Sequence, residues 1–372
     1  MDGADSLTPK REALVERLFE SVLNTMELCC VYLGDRLGLY RALRDRGPLT
    51  SAELAAAAGI HERYAREWLE QQAVTGMLET DPAVEASARR YALSAEHAEV
   101  LLDPDSLSWF APVVQLVVGL TGPLPTLLAA FRTGEGIKWR DFGRDSREGQ
   151  AGQNRPAFLS LLGREWLPAI PDVHARLSAD PPARVADVAC GAGWSSIGIS
   201  RAYPQVRVDG FDLDEASVTL ARANVAEAGL ADRVDIAVRD AGDPTLAGRY
   251  DLVTIFEALH DMSQPVEVLR RVRGLLVEGG AVIVADERVA ETFTAPGDSI
   301  ERLMYGFSVL SCLPTGLADQ PSAATGAVMR PATLRRYALE AGYRHVETLP
   351  IVSDLFRFYR LHVGSWGMPC PI

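Results

Sequence analysis

The sequence predicts an α/β protein: a doubly wound, mostly parallel sheet preceded by a smaller helical domain. Three observations predict it. From about residue 182 short apolar runs alternate with amphipathic stretches, strand then helix, several times over. The first run ends in a glycine turn, Gly191-Ala192-Gly193, that opens a helix. Residues 10 to about 100 are helical in pattern instead. The 372 residues are 48% hydrophobic and 23% charged, enough for two domains with a large core and too apolar for wholesale disorder.

Taken in order, Arg11 to Tyr40 reads as a first helix carrying Leu14, Leu18, Leu23 and Leu28. The segment LTSAELAAAAGI (49–60) places Thr50 as an N-cap with Glu53 three residues on, a capping box, and Gly59 closes the helix. HERYAREWLEQQAVTGML (61–78) follows as a second helix, with Tyr64, Leu69 and Ala73 among its apolar residues and Gly76 at its end. After a turn at Asp81-Pro82, RRYALS (89–94) reads as a short strand. Helix, turn, helix and strand pair make a winged helix. Its second helix sets Arg63 and Arg66 against Glu62, Glu67 and Glu70, a nearly neutral face. With a net charge of −13 overall, no nucleic acid partner is expected; a protein interface suits the domain better.

Residues 103–165 connect the two regions. APVVQLVVGLTGPLPTLLAA (111–130) is broken by Pro123 and Pro125 and reads as buried helices or an interface, not a membrane span. The stretch 132–156 has no clear periodicity and is expected to be an irregular lid anchored by Trp139 and Phe142. Strands then follow at 184–189, 206–212, 233–240, 250–256 and 281–287, with helices between them. The expected division is therefore a winged-helix domain, 1–102, a helical connector and lid, 103–165, and a Rossmann-like sheet domain, 166–372. Five cysteines (Cys29, Cys30, Cys190, Cys312, Cys370) lack CxxC spacing, and MDGADSLTPKREALVERLF has no signal-peptide pattern; reduced thiols in the cytoplasm are expected.

Ligands of such sheets sit at the carboxyl ends of the strands, where every distinctive motif of this chain falls. The turn VADVACGAGWSS (185–196) lacks the third glycine of a dinucleotide site, and no phosphate-loop pattern is present. Asp187, on the strand before the turn, would repel a pyrophosphate and would suit a ligand bringing an ammonium group. S-adenosylmethionine is such a ligand. Asp212 ends the next strand 19 residues beyond Gly193, the distance at which an acid meets ribose hydroxyls. Asp240 ends the third strand, able to accept from an adenine amino group, with Ala241 leaving room. FEALHDM (256–262) ends the fourth, facing the place of the methyl group.

With those residues in view, the chain resembles a class I S-adenosylmethionine-dependent methyltransferase with an N-terminal winged helix. It is most similar to an actinomycete group acting on small molecules and, more distantly, to plant-type O-methyltransferases. YLGDRLGLYRAL (32–43), ERYAREWL (62–69), DVACGAGWSS, FEALHDM, VADERVAE (284–291) and ERLMYGFSVLSCLP (301–314) carry the resemblance together. It implies that Asp187 and Gly191 to Gly193 hold the methionine end, Asp212 the ribose and Asp240 the adenine, with Cys190, Leu213, Ala241 and Phe256 completing the cofactor set. The product would be S-adenosylhomocysteine. One departure is Ala189, where the usual turn has glycine.

The resemblance also places His260 where plant-type enzymes keep a catalytic histidine, with Asp286 and Glu287 at the place of its orienting carboxylate. A histidine suits removal of a hydroxyl proton. Glu257 is a further candidate beside the methyl group. Met262 replaces the tryptophan of that pattern, and Asp261 or Ser263 could instead cap a helix with Pro265 in its first turn. Trp139, Met304, Tyr305, Phe307 and Cys312 are expected to wall the acceptor pocket; the last four could equally belong to a core or dimer helix. Cys312 has no histidine near it in sequence, and His61, His97, His174, His345 and His362 lack metal-ligand spacing, so no metal is expected. The expectation is a homodimeric methyltransferase of secondary metabolism, methylating oxygen on a small, largely apolar acceptor. Carbon or nitrogen methylation, a non-methylating enzyme such as a cyclase, and a ligand-sensing DNA regulator stay open on sequence alone.

Overall fold

The protein is described here from a computed structural model covering residues 7–364. The first six residues and the tail bearing Cys370 lie outside the described residues. The chain forms two compact units: Met1–Gly119 with Glu148–Gln153, and Leu120–Arg147 with Asn154–Ile372.

The first unit contains α1 (Leu7–Arg36), α2 (Leu39–Arg46), α3 (Ser51–Ala58), α4 (Glu62–Val74), the paired strands β1 (Glu79–Thr80) and β2 (Tyr91–Ala92), α5 (Ala95–Leu102) and α6 (Ala111–Thr121). The expected winged helix is α3, α4 and the antiparallel pair β1–β2. Thr50 and Glu53 form the expected capping box, and Gly59 closes α3 in the left-handed region. The first helix is shorter at its end than expected: it stops at Arg36, and Gly38, at φ 71°, turns the chain into α2. Leu39, Tyr40, Leu43, Leu54, Leu69 and Tyr91 pack a core of their own. Tyr64 does not join it; it stands exposed on the outer face of α4.

The second unit opens with α7 (Leu124–Thr133), α8 (Gly143–Ser160) and α9 (Pro171–Leu177). Then come β3 (Arg184–Val188), α10 (Trp194–Ala202), β4 (Arg207–Asp212), α11 (Glu215–Glu227), β5 (Val234–Val238), β6 (Tyr250–Phe256), α12 (Pro265–Gly274) and β7 (Leu276–Glu287). It closes with α13 (Ser299–Phe307), α14 (Leu313–Gly316), α15 (Pro331–Glu340), β8 (His345–Thr348) and β9 (Phe356–His362). The seven strands run in the order β5-β4-β3-β6-β7-β9-β8. The first five are parallel, while β9 is antiparallel to both its neighbours. Alternate residues bury on opposite faces: Val185, Leu252 and Ile283 in one core, Ala186, Val253 and Val282 in the other. That is why these strands read as continuous apolar runs. Strand order reverses at β3, so a crevice opens at the carboxyl ends of β3, β4 and β6.

The stretch 132–156 is not an irregular lid. A short 3-10 turn, Trp139–Phe142, leads directly into α8. The glycines that made the sequence look irregular are contact residues: a Cβ on Gly149 would overlap the backbone of Leu116, and one on Gly152 would strike Pro112. Close approach to α6 outweighs the low helix propensity of glycine. No single helix among the described residues is long and apolar enough to cross a membrane; α6 and α7 reach that length only as a pair bent by 57°.

Candidate active site

The site is built from the turn after β3. Ala189, Gly191 and Gly193 all have left-handed backbone, at φ 56°, 51° and 79°. Gly193 is needed for close packing, since a Cβ there would lie 3.2 Å from Ala221 on α11. Gly191 is different: the space its Cβ would take is open to 4 Å. The turn is braced from below by Asp187, which is fully buried. Its Oδ2 accepts from the hydroxyls of Ser195 and Ser196, both at 2.6 Å, and its Oδ1 from Thr254 at 2.8 Å. Burial raises its pKa while the three hydroxyls pull it back. Asp187 therefore ties the turn to α10 and β6 through its side-chain oxygens. Ser196, at the place of the missing third glycine, is what closes on this acid. Gly210 on β4 leaves room for it, since a Cβ there would lie 3.0 Å from Cys190 Sγ and 3.3 Å from Ser196 Oγ.

Asp212, at the end of β4, holds the other side of the turn. Its Oδ2 accepts from the Gly191 N–H at 2.9 Å and its Oδ1 from the Asp214 N–H at 2.8 Å. It is half-buried, and burial raises its pKa. Each oxygen keeps a second lone pair for a diol. The fit to a ribose over an open Gly191 is good. Asp214 caps α11 and takes the Arg147 guanidinium at 2.8 Å, and Asn224 Nδ2 donates to Ala192 O at 2.9 Å. Asp240 is exposed beyond β5, its Oδ1 accepting from the Gly242 N–H. Ala241 and Phe256 are buried, whereas Leu213 is exposed.

At the ends of β6 and β7 lies a cluster of ionisable groups. His260 is buried, and its Nδ1 is 2.7 Å from Asp286 Oδ1; its Nε2 is 3.2 Å from Asp261 Oδ1. Burial alone would lower the His260 pKa, but the Asp286 and Asp261 carboxylates raise it well above the ordinary value. Glu287 is buried beside them. Burial, then the charge of Glu257, pushes its carboxyl well above the usual range, against the pull of His260. Glu257 itself stands at φ 53°, a strained backbone for a side-chain-bearing residue. Neither Asp261 nor Ser263 caps α12: the helix starts at Pro265 without a side-chain cap, Asp261 turns beside His260, and Ser263 donates to Gly316 O at 2.8 Å.

Of the residues expected to wall the pocket, Met304, Tyr305 and Phe307 lie on α13 and Cys312 on the turn that follows it. Phe307 and Cys312 are half-buried and Met304 is buried. Tyr305 is exposed on α13, and Arg330 donates to its hydroxyl. Trp139 is half-buried with its ring 5.8 Å from Phe142, and its segment is tied down by Ile137 N–H donating to Pro314 O. The chain between residues 308 and 312 makes a π-turn, and it carries Cys312 to the histidine that sequence proximity could not supply. His260, Asp261 and Cys312 have one donor atom each within 4.8 Å of one another.

A glycine turn braced by an acid from the next strand, at the switch point of a sheet in this order, matches the class I methyltransferase fold. Residues 185–280 match the methyltransferase domain family, and residues 26–102 match the Rv2258c-like winged HTH domain. A ubiquinone biosynthesis O-methyltransferase of Thiobacillus denitrificans is 30% identical over 186 residues, 49% of this chain and 74% of its own length. A 3-hydroxy-5-methyl-1-naphthoate 3-O-methyltransferase of Streptomyces sahachiroi is 27% identical over 271 residues, 70% of this chain and 74% of its own. Human N-acetylserotonin methyltransferase in complex with SAM superposes with a TM-score of 0.68 at 17% identity, covering 95% of this chain and 98% of that one. The chain belongs to the S-adenosylmethionine-dependent O-methyltransferase family, in the form that carries an N-terminal winged-helix domain.

Proposed function

We propose that this protein moves the methyl group of S-adenosylmethionine to a hydroxyl of a small, largely apolar acceptor in secondary metabolism, and that it works as a cytoplasmic homodimer. The observation that carries this reading is the buried His260–Asp286 pair at the carboxyl end of β6. The sulfonium brings an already activated methyl group, so the protein's work is orientation and proton removal. Asp286 fixes the ring through Nδ1 and leaves Nε2 for the acceptor hydroxyl. Asp212 takes the ribose, Gly191 to Gly193 the methionine end, and Asp240 with Ala241 and Phe256 the adenine. Glu287, its carboxyl pushed well above the usual range by burial and by Glu257, positions the reacting end.

Phe307, Met304 and Trp139 supply the apolar surface that favours a flat, weakly polar acceptor. The winged helix is assigned to dimerisation. In α4 both arginines are occupied, Arg63 with Glu67 and Arg66 with Glu62, which leaves that helix poorly suited to phosphates. Radiolabelled methyl transfer to a panel of phenolic acceptors tests the reading. His260→Ala is expected to lower turnover by about 10²- to 10⁴-fold with cofactor binding retained. Near-normal turnover in the variant would remove the base from the mechanism.

A further inference from the structure

Cys312 takes no part in proton removal by the His260–Asp286 pair and Asp261 acts on it only through its charge, yet the fold brings both to the ring. One ring nitrogen of His260, one carboxylate oxygen of Asp261 and the Cys312 sulfur lie within 4.8 Å of one another. His260 Nε2 and Asp261 Oδ1 are 3.2 Å apart, close to the edge of about 3.4 Å of a tetrahedron with bonds of about 2.1 Å. That Asp261 oxygen is shielded from solvent and has no aligned hydrogen bond among the described residues. The arrangement behind the ring is the usual support of a metal-bound histidine: Asp286 Oδ1 on Nδ1 at 2.7 Å, orienting Nε2 outward. The donors come from two irregular turns, the 3-10 turn Leu259–Asp261 and the π-turn Ser308–Cys312, a helical distortion that often marks a functional site. Asp261 and Cys312 are half-buried residues, whereas the donor oxygen of Asp261 and the His260 ring are shielded.

We propose that His260, Asp261 and Cys312 form a three-donor site for a thiophilic divalent cation of the zinc class. Nitrogen, oxygen and sulfur donors in this number leave a fourth position open. Binding displaces the thiol proton of Cys312 and any proton on Nε2 to solvent, and forms one bond to each donor. The Asp286 carboxylate, 2.7 Å from His260 Nδ1, favours the added positive charge. Resting on the function proposed above, the consequence is inhibition: a cation on Nε2 takes the atom that receives the acceptor proton. Micromolar zinc then silences methyl transfer reversibly.

The test uses the full-length protein stripped with a chelator and titrated with cobalt(II) alone. One equivalent is expected to bind, with a thiolate-to-cobalt charge-transfer band and tetrahedral d–d bands, and zinc is expected to bleach both. Cys312→Ser should abolish the charge-transfer band and weaken binding by about 10- to 100-fold, and Asp261→Asn should also weaken it. Both variants keep side-chain size, and melting curves of the metal-free proteins check that they fold. No cobalt binding, a spectrum without a thiolate band, or unchanged affinity in Cys312→Ser would overturn the site. Zinc should then lower wild-type turnover at least tenfold, and Cys312→Ser should need about tenfold more zinc for the same fractional loss. A thiolate band with turnover untouched by zinc would leave the site standing and remove His260 as the base.

Discussion

Ala189 is the residue where the sequence departs from its family and the backbone does not follow. At φ 56° it keeps the conformation that glycine would hold without cost. A side-chain-bearing residue there costs about 1–2 kcal/mol, part of which a glycine would return through its freer unfolded chain. Ala189→Gly is therefore expected to stabilise the protein by about 0.5–1 kcal/mol, read as a higher urea midpoint at unchanged slope. The ionisable cluster gives two predictions with opposite handles on pH. The Glu287 carboxyl has a folded pKa raised above its unfolded value. The folded state thus holds a proton that the unfolded state releases, and stability falls as pH rises above about 4.5 towards the folded value. Glu287→Gln escapes that loss. It should be close to neutral near pH 4 and increasingly stabilising towards pH 8 in chemical denaturation. His260 is likewise raised, so a reaction that needs its neutral ring should quicken as pH climbs through and beyond neutrality. Asp261→Asn removes one of the charges that raise it and should shift the pH–rate midpoint to lower pH; an unmoved midpoint would sever that link. Legibility at this scale divided by range. The spacing of Asp187, Gly191, Gly193 and Asp212 follows from local chain geometry and could be read directly. That Asp187 would be closed off by Ser195, Ser196 and Thr254 depends on three elements meeting, and only the run of two serines after the turn hinted at it.

Among the elements, the parallel strands were legible because both faces are buried, and so was the capping box of α3. Two things were not. The α8 helix hides behind polar residues and glycines, because its stability comes from close packing of Gly149 and Gly152 against α6 and not from propensity. The strands β8 and β9 had no assignment from the sequence. They are antiparallel, and β9 breaks its apolar residues with Arg357 and Arg360, unlike the apolar runs that marked the other strands. The meeting of Cys312 with His260 was unreadable for a similar reason, since a π-turn within 308–312 sets it. Gly149 offers the element-scale test. Gly149→Val would drive a side chain into the backbone of Leu116, where nothing can yield cheaply. A loss of about 2 kcal/mol or more is expected from overpacking of this kind, measured by denaturation. Gly274→Ala is the control, because its added Cβ meets nothing within 4 Å.

For the whole molecule, α1 carries the clearest unspent surface. Leu14, Val15, Leu18, Phe19, Val22, Leu23 and Met26 recur at helical spacing and are all more than 40% exposed. A contiguous exposed apolar stripe of that kind marks an interaction surface. It accords with the homodimer proposed above, and Leu18→Glu with Phe19→Glu should halve the mass seen by light scattering. An unchanged mass would move the interface elsewhere. Everything else about the molecule's work depends on the turn after β3 holding S-adenosylmethionine with Asp212 under its ribose. Calorimetric titration of the ligand-free protein with S-adenosylmethionine and with its demethylated product measures this directly. Asp212→Asn serves as the comparison, since it keeps one oxygen for the Gly191 N–H but loses the second acceptor that a diol needs. Micromolar binding, about −8 kcal/mol, weakened at least tenfold in a variant that melts normally, is the expected result. Absent binding in wild-type protein shown to carry no bound nucleoside, or equal binding in the variant, would contradict it.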